Sequence, residues 1–290
     1  MQKLFFLVFL VVVFPLRAQQ NSLFWEVSGK DLNHPSYLFG TMHLRDSRLF
    51  CLPDSAQIHL DSCSVLALEV VIDFSDKKAL MASILVEDEQ QYLSNVLTKQ
   101  EYKKVKKAVK EHCDLATLIM MDKMRPFMLA AALMESQHKS DVSYPMDLQF
   151  QLDAQKQGKQ LYSLESMTSQ IAVLDKIPME LQKKELLSSI DSIKQNKVLL
   201  DSMIAMYLRQ DLNALLLTSE NSSVEFDSLF QVEFLDKRNR IMVDGIAKLL
   251  PQGNAFIAVG AAHLAGEKGL VALLRKEGYV VRPVFSKCSR

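Results

Sequence analysis

The sequence predicts an α/β fold, with a mostly parallel central sheet and two long helical insertions. Three observations carry that prediction. Short aliphatic runs fall near both ends and the middle of the chain. The stretches between them, about 75–140 and 168–250, are rich in Leu, Met, Lys and Glu and poor in breakers, as helices are. Near the end, "NAFIAVG", "EKGLVALLRKEG" and "YVVRPVF" follow one another as strand, helix and strand, a βαβ unit.

Taken in order, "SLFWEVSG" (Ser22–Gly29) and "SYLFG" (Ser36–Gly40) are strands around a loop carrying Asn33 and Pro35, a hairpin pattern. Leu49–Leu60 is a short helix behind "LPDS", with Asp54 or Ser55 as its cap. "SVLALEVVID" (Ser64–Asp73) is a dense aliphatic and β-branched run, suited to a strand of a buried parallel sheet. In "YKKVKKAVKEH" (Tyr102–His112), Val105, Ala108 and Val109 fall at helical spacing, which leaves a lysine face in solvent. A helix from about Asp147 to Lys156, closed by Gly158, precedes a strand over Gln160–Glu165. Helices resume from Thr168 to about Leu250, interrupted at Pro178. No low-complexity linker divides residues 19–290, so one domain is expected there.

Composition narrows the functional classes. Lys plus Arg and Asp plus Glu both number 34, giving zero net charge and none of the basic excess of a nucleic-acid binder. Lys3, the apolar run Leu4–Phe14 and the break at Pro15 form a signal-peptide layout, with cleavage expected after Ala18. An apolar run of about eleven residues is too short to span a bilayer, which needs roughly twenty. The mature chain is therefore expected to be secreted without a stable membrane anchor, and periplasmic where the cell has an outer membrane. Cys51, Cys63, Cys113 and Cys288 permit two disulfides in any of three pairings, or free buried thiols. Their spacing excludes a CxxC redox or zinc-ribbon motif.

Four strand ends carry the candidate chemistry. "FGTMHL" supplies His43 and "ALEV" supplies Glu69; "SLES" supplies Glu165 and "VGAAHL" supplies His263. Each half of the chain thus holds one GxxH and one strand-borne Leu-Glu. Side chains just past the carboxyl ends of neighbouring parallel strands converge on one crevice. Gly40 and Gly260 are expected to let the backbone turn at the sheet edge and to leave room for a ligand. Two imidazoles with one or two carboxylates suit a divalent transition metal such as Mn, Co, Zn or Fe, which would acidify a bound water. A carboxylate such as Glu69 is costly to bury among aliphatics unless it is partnered. Glu165 is expected to face the same crevice and carry a proton, or else to cap the helix that "SMTSQ" begins.

Other constellations are missing: there is no HExxH, GxSxG, Walker loop or GxGxxG. "ESQH" sets Glu135 and His138 at i, i+3, as di-iron bundles do, but in one copy among polar residues. It reads as a surface helix.

These motifs together resemble the TraB/PrgY/GumN family, which includes the animal Tiki proteins. The match runs through "YLFGTMHL", "LALEV" and "VGAAHLAGEKGLVALLRKEGYVV", with weaker echoes at "MDLQFQLDAQKQGKQLYSLES" and "DKRNR". The resemblance implies a fold related to erythromycin-esterase-like and ChaN-like proteins. For Tiki members it implies metal-dependent peptidase activity, with both GxxH histidines and the acid in the site. Carried over, it names His43, Glu69 and His263 as metal ligands for Mn, Co or Zn. Arg238 would bind a carboxylate or stabilise an oxyanion, and Asp147 and Glu165 complete the catalytic set, with Asn239 beside Arg238 in the echo. The implied partner is a peptide or small-molecule substrate. A haem- or metal-binding protein without turnover, as in ChaN-like relatives, is the alternative.

Overall fold

A computed structural model describes residues 21–50, 52–138, 140–218 and 224–285. The expected leader over residues 1–18 lies outside them, as do Cys51 and Cys288. Six strands form one mixed sheet in the order β4-β3-β5-β2-β1-β6. They are β1 (Phe24–Ser28), β2 (Ser36–Thr41), β3 (Val65–Leu68), β4 (Gln160–Ser163), β5 (Ala255–Gly260) and β6 (Val280–Pro283). Four of them, β4, β3, β5 and β2, run parallel. The expected hairpin is present, with Phe24 opposite Phe39. The terminal βαβ unit is also present, around the Leu270–Lys276 helix, but its strands are not neighbours. β2 and β1 lie between β5 and β6, and β6 pairs antiparallel with β1.

Burial explains which strand sits where. Every residue of β2, β3 and β5 is buried, as strands covered on both faces must be, whereas β4 and β6 are largely part-exposed and take the edges. Phe24, Phe39 and Phe256 are fully buried and mutually stacked or tilted, and Phe150 closes on them edge-on. Burying each such ring stabilises the fold by about 1.5–3 kcal/mol. The aliphatic run after Ser64 makes a shorter strand than its composition suggests. β3 stops at Leu68, so Glu69 lies just beyond the strand instead of within it. The helix behind "LPDS" starts at Asp54 with Pro53 in the cap position, so neither Asp54 nor Ser55 caps it.

The helical stretches build a second core. The Lys99–His112 helix begins with a capping box of Thr98 and Glu101 and buries Val105, Ala108 and Val109, with its lysines outward. Those residues pack with Leu93, Leu129 and Leu133, and with Leu186 from the second helical stretch. A separate link runs from that stretch to the sheet edge: the buried Tyr207 hydroxyl donates to the Gly40 carbonyl at 2.7 Å. Cys63 and Cys113 are free thiols, so no disulfide pairing that uses either is formed. Burial pushes the Cys63 thiol up to about 11. Among the described residues, no helix is long and apolar enough to cross a membrane.

Candidate functional site

The parallel register brings four strand ends to one edge. Thr41 lies opposite Gly260, Leu68 opposite Ala258, and Ser163 opposite Leu68. Backbone bonds carry the β3–β4 pairing one step further, with Glu165 N–H donating to the Glu69 carbonyl at 2.9 Å. Glu69, Glu165, His43 and His263 therefore all lie just past the carboxyl ends of adjacent strands.

Both motif glycines are needed for space. Neither has a left-handed φ, so the expected sharp turn is not their reason. A Cβ on Gly40 would lie 2.8 Å from Leu264 Cδ1 and 3.1 Å from Ala261 Cα. A Cβ on Gly260 would lie 3.2 Å from Glu69 Oε1, 3.4 Å from His43 Nε2 and 3.6 Å from His263 Cδ2. The acid and both imidazoles share one pocket, with Gly260 as its floor.

Each histidine has its Nδ1 held by an oxygen. His43 Nδ1 lies 2.5 Å from Asp147 Oδ2, while Asp147 Oδ1 accepts from the Thr41 hydroxyl at 2.5 Å. Asp147 sits in the first turn of the Met146–Lys156 helix, where a carboxylate complements the unpaired N–H groups. His263, buried on a short 3-10 turn directly after β5, has Nδ1 2.7 Å from Asn239 Oδ1. Asn239 donates in turn to the Lys268 carbonyl at 2.9 Å, which fixes the amide orientation. His263 is thereby a Nδ1–H tautomer with a free Nε2 lone pair.

The surroundings split the two imidazoles. The Asp147 charge, against the opposing effect of burial, pushes His43 up to about 9. Burial, helped by Arg238 and His43, pushes His263 down to about 4, with Glu69 opposing. Burial also works to raise Glu69, but His263, Arg238, His43 and the Gly260 N–H outweigh it and bring it to about 2.

Arg238 binds two carboxylates at once. Its Nη2 donates to both Glu69 and Glu165, its Nε to Glu165 Oε1 at 2.9 Å, and its Nη1 to the Phe234 carbonyl at 3.3 Å. Glu69 Oε1 accepts from Gly260 N–H at 2.6 Å and lies 3.6 Å from His263 Nε2. Glu165 Oε2 is buried with no hydrogen-bond partner. Ser166, not Glu165, caps the helix that follows, accepting from Ser169 N–H. All six residues expected from the sequence thus meet at one place. Thr41, the Gly260 N–H and Tyr207 join them without having been expected; only Thr41, inside the first GxxH stretch, carries a local hint.

The donor chemistry fits a divalent transition ion. Two imidazoles with their Nδ1 atoms anchored, and the Glu69 carboxylate beside them, are the donor types such an ion takes, once His43 gives up its Nε2 proton. As the side chains stand, Glu69 is committed to Arg238 and Gly260. Among the described residues, no three His, Cys, Asp or Glu side chains are grouped to hold an ion.

Comparison with known proteins identifies the family. The model of the TraB/PrgY/gumN family matches residues 23–283, and the chain belongs to that family. Curated relatives include Metalloprotease TIKI2 of Danio rerio, 23% identical over 90% of this chain and 60% of its own length. Metalloprotease TIKI1 of Xenopus tropicalis is 22% identical over 91% of this chain and 62% of its own. Metalloprotease TIKI1 of Homo sapiens is 22% identical over 92% and 63%. The chain thus spans somewhat under two thirds of the length of these relatives. No solved structure matches it.

Proposed function

We propose that this chain is an exported metal-dependent hydrolase that cleaves peptide bonds at the strand-end pocket. The observation that carries the reading is the pair of imidazoles, each anchored at Nδ1 and facing Glu69 across Gly260. The relatives named as metalloproteases add support from outside the chain. His43 Nε2, His263 Nε2 and Glu69 would hold the ion, Mn, Co or Zn. When bound, it supplies Lewis acidity that lowers the pKa of a coordinated water. The chain's own residues do the rest. Asp147 keeps the Nδ1 proton of His43, so that nitrogen binds no ion and Nε2 points inward. Asn239 does the same for His263. Glu69 and Glu165, linked through Arg238, set two carboxylates at the same strand edge, and Glu165 Oε2, buried without a hydrogen-bond partner, would be the oxygen to accept a proton. Arg238 balances their charge.

The test is cleavage of a peptide library by purified protein with Mn, Co or Zn added. Cleavage that depends on the ion and is lost in His43→Ala supports the reading. Haem or metal bound tightly with no turnover in any ion supports a binding protein instead. Export rests on the Lys3, Leu4–Phe14 and Pro15 pattern. N-terminal sequencing of protein from the native host is expected to find Gln19 or Gln20 first, and intact Met1 would sink it.

A further inference from the structure

His43 follows β2 on a loop with no strand partner of its own, so its placement needs another source. That source is a set of residues, Glu135, His138, Asp141 and Asp147, which meet residues 41–48 at successive points. Arg45 Nε donates to Glu135 Oε1 at 2.8 Å. Asp141 N–H donates to the Arg45 carbonyl at 3.3 Å. Ser47 donates its backbone N–H and its hydroxyl to the Asp141 carboxylate, at 2.7 and 2.6 Å. Beyond these, Thr41 and His43 meet Asp147.

The centre of this lacing is buried. The Asp46 side chain is 3% exposed and accepts from the Arg48 N–H at 2.9 Å and from its guanidinium. His138 Nε2, also buried, lies 3.0 Å from Asp46 Oδ2 without an aligned hydrogen bond. Burial works to raise Asp46, but the Arg48 guanidinium and N–H outweigh it and keep the carboxyl ionised. Burying Asp46 and His138 is costly unless they are partnered, and the Arg48 guanidinium, half in solvent, supplies the charge that holds Asp46. Glu135 and His138, set one helical turn apart in "ESQH", both point at this loop.

We propose that Glu135, His138 and Asp141 form a cradle that positions His43, with His138 against Asp46 as its buried pin and Glu135 and Asp141 as its outer ties. These are positioning residues: they touch the loop and not the pocket. The assignment rests on His43 being a working group of the site, as proposed above.

Full-length His138→Ala is expected to speed amide hydrogen exchange over residues 42–48 about tenfold, as a locally opened loop would. It is also expected to shift the His43 imidazole NMR resonance, identified by its loss in His43→Gln. The resonance of His263 and the exchange of β5 should hold. His138→Gln, which keeps a donor beside Asp46, is expected to restore most of both signals. Unchanged loop exchange and an unmoved His43 resonance in His138→Ala overturn the proposal. So do equal changes at β5 and His263, which mark a general loosening. Should His138→Ala fail to fold, Glu135→Gln is measured in the same two ways, and the same outcomes support or overturn the proposal, because that tie lies on the exposed side. Neither readout needs turnover. Failure of the hydrolase reading shows separately, as absent peptide cleavage in a chain whose loop still loosens.

Discussion

Two histidines occupy the same frame, Gly-x-x-His at the ends of neighbouring parallel strands, and live under opposite conditions. The His43 side chain is 60% exposed and bound to a carboxylate; that of His263 is 5% exposed and bound to an amide. One is held protonated and the other neutral. The frame decides where an imidazole stands; the Asp147 charge sets the state of His43 and burial sets that of His263. The exposed arm is held by a charge and the buried arm by a neutral amide.

The comparison breaks first at Arg238, which serves both arms by pairing Glu69 with Glu165. Arg238→Met leaves two buried carboxylates without their cation. It is expected to destabilise by about 3–5 kcal/mol in urea unfolding. A loss under about 1 kcal/mol would mean that the carboxylates find other partners.

Next come the glycines. Gly40→Ala drives a methyl into Leu264 and the Ala261 backbone, and should cost about 1–3 kcal/mol by overpacking. Gly260→Ala meets side-chain ends of Glu69 and His43, so it should cost less stability while disturbing the pocket. Equal costs from the two would erase the distinction between a packing glycine and a pocket glycine.

The protonation split predicts opposite limbs of a pH–stability curve for metal-free protein. His263 has a folded pKa of about 4, below its unfolded value, so the unfolded state binds more protons and stability rises from about pH 4 to 6.5. That limb is at most about 1.4 kcal/mol per pH unit. His43 has a folded pKa of about 9, above its unfolded value. Its contribution is full below about pH 6.5 and is lost as pH rises through 9. Its exposure makes this limb the shallower one. His263→Gln should flatten the acid limb and His43→Gln the alkaline one; a single slope across the range would contradict the split.

The smallest change is the sharpest. Asn239→Asp gives His263 the partner type that His43 has. Its imidazole pKa, followed by NMR, is expected to rise from about 4 toward neutrality. No movement would mean that burial alone, and not the partner, sets the difference.

The sequence is informative where function and burial coincide in a short stretch. Both GxxH ends and the all-buried β2 and β5 stand out because glycine, small residues and a lone histidine interrupt aliphatic runs. β3 reads longer in the sequence than it is, because Val70–Ile72 stay apolar after the sheet pairing stops. The antiparallel seat of β6 is invisible there, since nothing local distinguishes a neighbour from a strand two places away. Asp147 and Asn239 are visible as residues, but their partnerships cross 104 and 24 positions of chain and depend on how two helices dock. "ESQH" reads as a solvated face because its partners, Arg45 and Asp46, lie on a distant loop.

The strand order also sets a timetable. β5 lies between β2 and β3, although it follows both far along the chain, starting only at Ala255. Until residue 260 has emerged from the ribosome, β2 and β3 have no common neighbour, and His43 and Glu69 have no shared floor. A nascent or truncated chain can complete its helical core early, because those contacts lie within residues 93–186. It cannot assemble the pocket. The pocket is the last part that such a chain completes.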